Sequence, residues 1–280
     1  MGILSIQSHV VYGYVGNKAA VFPLQSMGYD VWPVNTVQFS NHTGYGKWQG
    51  EIFSKEHIRN IINGLVDIGV TNQCQAILSG YMGSSDICNE VFSTVKKLKS
   101  QNPKLLYLCD PVMGNTTCFV KPEVVDFFKV HLTADIITPN QFEAEMLSGI
   151  QIKNSADVKM TAEYFHARGI AVVIITGIKF YNSSQDDLYV SISDKKETHI
   201  VKTKEYPFTI SPNGTGDLFS ALFLGNYLAT NDSLDALKRT IFFVDRVMHN
   251  TFENKNRELM VTSIDYRTTA TTMLPTSIRL

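Results

Sequence analysis

Cysteine is sparse in this chain of 280 residues: the four present, Cys74, Cys88, Cys109 and Cys118, form no Cys-x-x-Cys pair and no Cys/His cluster at zinc spacing. Reduced thiols in a cytoplasmic protein are the expectation. Long apolar runs are missing too. Nowhere do about 18 apolar residues follow one another, so no membrane partner is expected. Met1-Gly2-Ile3-Leu4-Ser5 leads straight into a strand-like segment, without the basic start and apolar stretch of a secretory signal. Charge of one sign does not prevail. With 25 Lys and Arg against 26 Asp and Glu the net charge is −1, so no global positive field draws the chain to nucleic acid. Repeats, low-complexity tracts and linkers are likewise missing, which favours a single domain over residues 1–280.

What is present is a rhythm. Short runs rich in Ile, Val and Leu at 2–7, 31–38, 76–79, 105–109, 136–138 and 172–176 have the pattern of buried parallel strands. Between them lie helical stretches at about 17–27, 55–68, 85–101, 122–130, 141–148 and 156–168. This alternation predicts an α/β fold: a mainly parallel central sheet flanked by helices on both faces. The stretch 187–204 breaks the rhythm. Two alternating runs around the polar turn Asp194-Lys195-Lys196 predict a small antiparallel addition to that sheet. Helices near 217–229 and 233–251 then precede a weakly patterned C-terminal segment.

Chemistry concentrates in three places. The first is Asn213-Gly214-Thr215-Gly216-Asp217, opening an apolar helix. Two glycines before a helix let backbone N–H groups converge, and the unpaired amides of the first turn make an anion hole. Asp217 at its mouth is placed to take a proton from a hydroxyl while the amides hold a phosphoryl group. A plain N-cap role for Asp217 explains the same residues.

The second is Cys109-Asp110-Pro111-Val112-Met113-Gly114. Asp110 stands at the C-terminal end of a buried strand, where open α/β sheets bind ligands and where it could hold magnesium. An Asp starting a turn before Pro is the alternative. The third is Thr138-Pro139-Asn140-Gln141-Phe142-Glu143. Asn140 and Glu143 have the spacing of a capping box, and equally could share a cation beside a triphosphate, with the Thr138 hydroxyl nearby.

Several segments together resemble the pyridoxal kinases of the ribokinase-like superfamily, most of all the bacterial branch that prefers pyridoxal. They are Ile6-Gln7-Ser8-His9-Val10-Val11-Tyr12-Gly13, Val37-Gln38-Phe39-Ser40-Asn41-His42-Thr43, Tyr45-Gly46-Lys47-Trp48, Leu78-Ser79-Gly80-Tyr81 and the Asp110 segment. The likeness runs in order from Ile3 to about Leu224; the last 50 or so residues carry little of it.

The resemblance implies a ribokinase-like fold and transfer of the γ-phosphate of ATP to the 5′-hydroxyl of pyridoxal. It implies Asp217 as catalytic base and Gly214, Thr215 and Gly216 as the anion hole. Ser8 would meet the pyridine ring edge, Thr43 and Gly44 would clamp the substrate, and Tyr81 would wall the pocket. Asp110, Thr138 and Glu143 would handle phosphates, Asp110 and Glu143 also the metal. Thr176 and the stretch Ile210, Ser211, Pro212 and Asn213 would contact nucleotide. ATP with Mg²⁺, K⁺ as activator and a cytoplasmic homodimer complete the implication. Thr176 stands where some relatives carry lysine, and the loop after Gly114 is a little shorter than theirs.

Other conspicuous residues admit two roles. His9 and His42 could touch the ligand ring or simply brace loops. Cys118 could add reversibly to the pyridoxal aldehyde, or fill space. Tyr12, Tyr45 and Tyr81 could stack on a flat ring, while Trp48 suits core or a dimer interface. The rivals are a hydroxymethylpyrimidine or sugar kinase and a non-catalytic vitamin B6 carrier.

Overall fold

The computed structural model describes residues 2–184, 186–267 and 274–280. The strands are β1 (Gly2–Val10), β2 (Asp30–Phe39), β3 (Gly50–Ile52), β4 (Cys74–Ser79), β5 (Leu106–Cys109), β6 (Ile136–Ile137), β7 (Val172–Ile178), β8 (Asp187–Ser193), β9 (Thr198–Lys204) and β10 (Ser277–Arg279). They form one sheet in the order β10-β9-β8-β7-β6-β5-β4-β1-β2-β3. The six central strands, from β7 through β2, pair in parallel. Antiparallel strands flank them at both ends: β3 on β2, and β8, β9 and β10 beyond β7. The expected hairpin is β8 and β9. The short strands β3 and β10 were not anticipated.

The helices are α1 (Asn17–Ser26), α2 (Lys55–Asp67), α3 (Ser85–Gln101), α4 (Pro122–His131), α5 (Gln141–Ser148), α6 (Ser155–Ala167), α7 (Thr215–Thr230) and α8 (Ser233–Glu253). Side chains alternate across each strand, so the sheet feeds two cores. Leu4, Ile6, Ile77, Tyr107, Cys109, Ile137 and Ile175 pack under α2 to α6. Ile3, Ala76, Leu78, Leu108, Ile136 and Ile174 pack under α1, α7 and α8. Helices thus cover both faces, and no helix among the described residues is long and apolar enough to cross a membrane.

The chain leaves β1 toward β2 on one side, and returns to place β4 on the other. Loops after β1 and β4 therefore part, opening a crevice at the carboxyl ends of the strands. Ser8, Tyr81, Asp110 and Thr138 all stand at those ends. A second feature frames the crevice from outside: Leu259, Val261 and Tyr266, just past α8, are buried against Leu218, Leu222, Phe243 and Val247 of α7 and α8.

Candidate active site

The cap of α7 is Gly214, at φ 89° and without a side-chain hydrogen bond. A Cβ there would collide with the Tyr14 carbonyl oxygen, so only glycine lets the two segments close. Asp217 is then the third residue of the helix and not its N-cap, which removes the plain capping role. Its half-buried carboxyl accepts instead from the Gly16 backbone N–H, and burial pushes its pKa up to about 6. The first-turn amides of Thr215, Gly216 and Asp217 have no carbonyl one turn earlier to bond, so they face outward as anion donors.

Two further carboxylates face the same spot. Asp110, 4% exposed, accepts from Ser220 Oγ at 3.2 Å, and Ser220 Oγ in turn meets Thr138 Oγ1 at 2.8 Å. A Cβ on Gly216 would stand 3.8 Å from Asp110 Oδ2, which places Asp110 at the anion hole. Burial, then the charges of Glu143 and Asp217, hold the Asp110 carboxyl well above its usual range. Glu143 is pushed up to about 7 by burial, against the pull of the Met113, Asn140 and Gly114 N–H donors. Those donors reach it at 2.8, 3.0 and 3.3 Å.

The capping box between Asn140 and Glu143 is formed, with Glu143 N donating to Asn140 Oδ1 at 2.9 Å. The Asn140 amide also donates to the Gly114 carbonyl at 2.7 Å, so this side chain is taken up by the loop. Glu143 thus completes the capping box of α5, with its carboxylate close enough to Asp217 for the two charges to interact. Among the described residues no Lys or Arg pairs with Asp110, Glu143 or Asp217.

The other wall is built from β1, β2 and the loop after β2. Ser8, 9% exposed, lies against Gly16, where a Cβ would clash with its carbonyl and hydroxyl. Ser8 and Asp217 are thus joined through one glycine. Tyr81 packs half-buried on Val10, Val15, Val37 and Phe39. Thr43 and Gly44 are exposed in a single 3-10 turn (Thr43–Tyr45) capped by His42, whose Nδ1 accepts from Gly44 N at 3.1 Å. That turn reaches the loop before α7: a Cβ on Gly44 would lie 3.6 Å from Asn213 Nδ2.

Of the residues singled out from sequence, Asp217, Gly214, Thr215, Gly216, Asp110, Thr138 and Glu143 converge, and Ser8, Thr43, Gly44 and Asn213 border them. Thr176 sits half-buried on β7, its N–H donating to the Pro139 carbonyl at 3.0 Å, beside Asn140. Ile210 and Ser211 are exposed and Pro212 buried in the β9–α7 loop. His42 braces its loop as a cap. The ring of His9 is partly buried with Nδ1 unpaired among the described residues, and burial lowers its pKa. Cys118 is exposed in the hairpin after Gly114, and Trp48 lies on Phe39 at 4.4 Å between ring centroids.

Four contributors escaped the sequence: Gly16, Ser220, Arg257 and Glu258. Ser220 had a usable signal, since it follows Asp217 by one helical turn on α7. Glu258 had none, because its partners are Tyr45 and Tyr14, far away along the chain.

A mainly parallel sheet with a glycine-capped helix and buried carboxylates at its carboxyl edge is a scaffold suited to phosphate groups. The sequence profile of the phosphomethylpyrimidine kinase family matches residues 40–262. Pyridoxal kinase PdxY of Corynebacterium diphtheriae is 42% identical over 265 residues, covering 93% of each chain. Its namesake in Granulibacter bethesdensis is 41% identical over 268 residues, again with 93% of each covered. The structure of pyridoxal kinase from Leishmania donovani, solved with ADP and pyridoxamine, superposes with a TM-score of 0.91 at 32% identity. It covers 100% of this chain and 99% of its own. The chain belongs to the pyridoxal kinase family, as its sequence resemblance implied.

Proposed function

We infer that this protein transfers the γ-phosphoryl group of ATP to the 5′-hydroxyl of pyridoxal. The observation that carries this is the placement of Asp217, a carboxyl with a pKa of about 6 at the mouth of unpaired α7 amides. A base poised near working pH is deprotonated often enough to act and basic enough to accept the hydroxyl proton. Transfer is direct and in line, so the protein contributes position and charge stabilisation. Asp217 takes the proton; the amides of Gly214, Thr215 and Gly216 meet the charge developing on the phosphoryl oxygens. Ser8 orients the ring edge, Thr43 and Gly44 close over it, and Tyr81 forms the wall. Thr138, Thr176 and the loop Ile210, Ser211, Pro212 and Asn213 hold the nucleotide.

The donor set fits Mg²⁺ brought in with ATP. Among the described residues no group of three or more His, Cys, Asp or Glu could hold a metal ion. Yet Asp110 and Glu143 are buried carboxylates without a cationic partner, the one or two ligands Mg²⁺ takes when phosphates supply the rest. When bound there, the ion neutralises phosphate charge. K⁺ as activator, a homodimer, a cytoplasmic setting and one kinase domain over 1–280 complete the proposal. The exposed Val11, Tyr12 and Trp48 are apolar material for a dimer contact.

The test is ADP release by the purified protein with Mg²⁺ and K⁺, offering pyridoxal, pyridoxine, pyridoxamine, hydroxymethylpyrimidine and ribose. Fastest turnover on pyridoxal is expected. A preference for hydroxymethylpyrimidine or ribose overturns the substrate, and tight pyridoxal phosphate binding without any turnover points to a carrier.

A further inference from the structure

The exposed turn that would clamp the substrate is held from outside the crevice. Glu258, 6% exposed, uses both carboxylate oxygens on the loops around the pocket. Oε1 accepts from the Tyr45 hydroxyl at 2.6 Å, and Oε2 from the Tyr14 N–H at 3.2 Å. Its neighbour Arg257 lies over the Tyr45 ring, 3.5 Å from the centroid, and reaches the Gly44 carbonyl at 3.4 Å. Gly13, at φ +94°, is crowded by this carboxylate so closely that a Cβ there would collide with Oε2. Burial and the Glu258 contact push the Tyr45 hydroxyl pKa up to about 12, so it remains a donor across the working range.

The two sides of this contact differ in rigidity. Glu258 is followed by Leu259 and Val261, both fully buried between α7 and α8. Between them, Met260 donates its N–H to Thr251 Oγ1 at 3.0 Å on α8. Thr43 and Gly44 have no such anchorage; they are exposed and tied by His42, Arg257 and, through Tyr45, Glu258. A fixed carboxylate thus holds a loop that otherwise pays its own ordering entropy each time substrate binds.

We propose that Glu258 is a positioning residue for the vitamin substrate: through the Tyr45 hydroxyl it fixes the Thr43-Gly44 clamp closed-ready, so that it sets pyridoxal affinity without touching the transferred phosphate. The proposal rests on the pyridoxal kinase reading above. Because the brace acts before chemistry and on the substrate side only, its loss raises KM for pyridoxal and leaves kcat and the KM for ATP in place.

The experiment pairs steady-state kinetics with calorimetric titration of pyridoxal into nucleotide-free protein. Tyr45→Phe keeps the ring over which Arg257 lies and removes one hydrogen bond to a carboxylate, so KM and Kd for pyridoxal should each rise about tenfold. kcat and the KM for ATP should stay within about twofold, while Tm falls modestly because Glu258 Oε1 loses its donor. Glu258→Ala should weaken pyridoxal binding at least as much, and in the Tyr45→Phe background should add little further loss. Pyridoxal KM and Kd of Tyr45→Phe within about twofold of wild type overturn the proposal, as does a parallel loss in kcat, both KM values and Tm. A wild type that binds pyridoxal but does not phosphorylate it overturns the reaction alone, and the brace is then judged on Kd. A wild type that does not bind pyridoxal overturns both.

Discussion

The two walls of the crevice are built in opposite ways. On the side proposed for the phosphates, Asp110, Thr138, Glu143 and Ser220 are buried and tied to one another and to backbone at strand and helix ends. On the side proposed for the substrate, Thr43 and Gly44 are exposed, and beyond the local His42 cap their fixing comes from side chains that follow α8. A wall that must stabilise developing charge needs donors that do not reorganise during reaction. A wall that must admit and release a flat ring needs a loop that moves, with a brace to limit how much. Damage to the first should therefore appear in kcat, and damage to the second in KM.

The sharpest break of that contrast is Asp217→Asn. It should lower kcat by about 10²–10⁴-fold with both substrates still binding, as single-turnover and calorimetric measurements would show. A near-normal kcat would remove Asp217 as the base. The same variant carries a stability signature. The folded carboxyl, at about 6, lies above its ordinary 3.8. Its contribution is full below the unfolded pKa and fades as pH rises through about 6. The Tm of Asp217→Asn relative to wild type should therefore increase between pH 5 and pH 8.

Gly214→Ala comes next. The added methyl must push the α7 loop away from the Tyr14 carbonyl and hold φ at 89°. Strain of this kind costs about 1–3 kcal/mol, so Tm should fall. Displaced amides should cut kcat by about 10²-fold, with pyridoxal Kd little changed. A rise in pyridoxal KM at constant kcat would instead place Gly214 with the substrate wall.

Ser220→Ala is milder. Ser220 donates to Asp110 and lowers its pKa, so its loss should raise that pKa further. kcat/KM at neutral pH should drop about tenfold, and the acid limb of the pH profile should move to higher pH. An unmoved limb would mean that Asp110 does not act in the ionised form.

The smallest effect is expected at Thr176→Lys. A lysine on β7 beside Asn140 would add a charge near the phosphates, lowering the KM for ATP by about two- to fivefold and leaving pyridoxal KM alone. A changed pyridoxal KM would show that the two walls are not independent.

The buried wall proposed for the phosphates was legible in the sequence because its parts are local. A Gly-x-Gly at the start of an apolar helix, an Asp ending a buried strand and an Asn-x-x-Glu spacing each state their geometry within a few residues. Even the ambiguity was local: Asp217 lost its capping role when Gly214 took the cap, and Glu143 formed the capping box with Asn140. The brace was not legible. Tyr45 and Glu258 lie 213 residues apart, and nothing near either one names the other. Strands β3 and β10 escaped for a different reason: three residues each are too few to display a period of two. They exist because β2 and β9 supply an edge to pair with.

Those two short strands have a consequence for any contact between copies of this chain. A ten-stranded sheet ending in long bare strands would offer backbone to any neighbour. Here each margin is a three-residue strand, one carrying Glu51 and the other Arg279, which pairs with Glu197 at 3.2 Å. So short and charged a margin gives a second sheet little to extend. Assembly through continuous strands is disfavoured at both ends, and any contact between copies would be left to helices and loops.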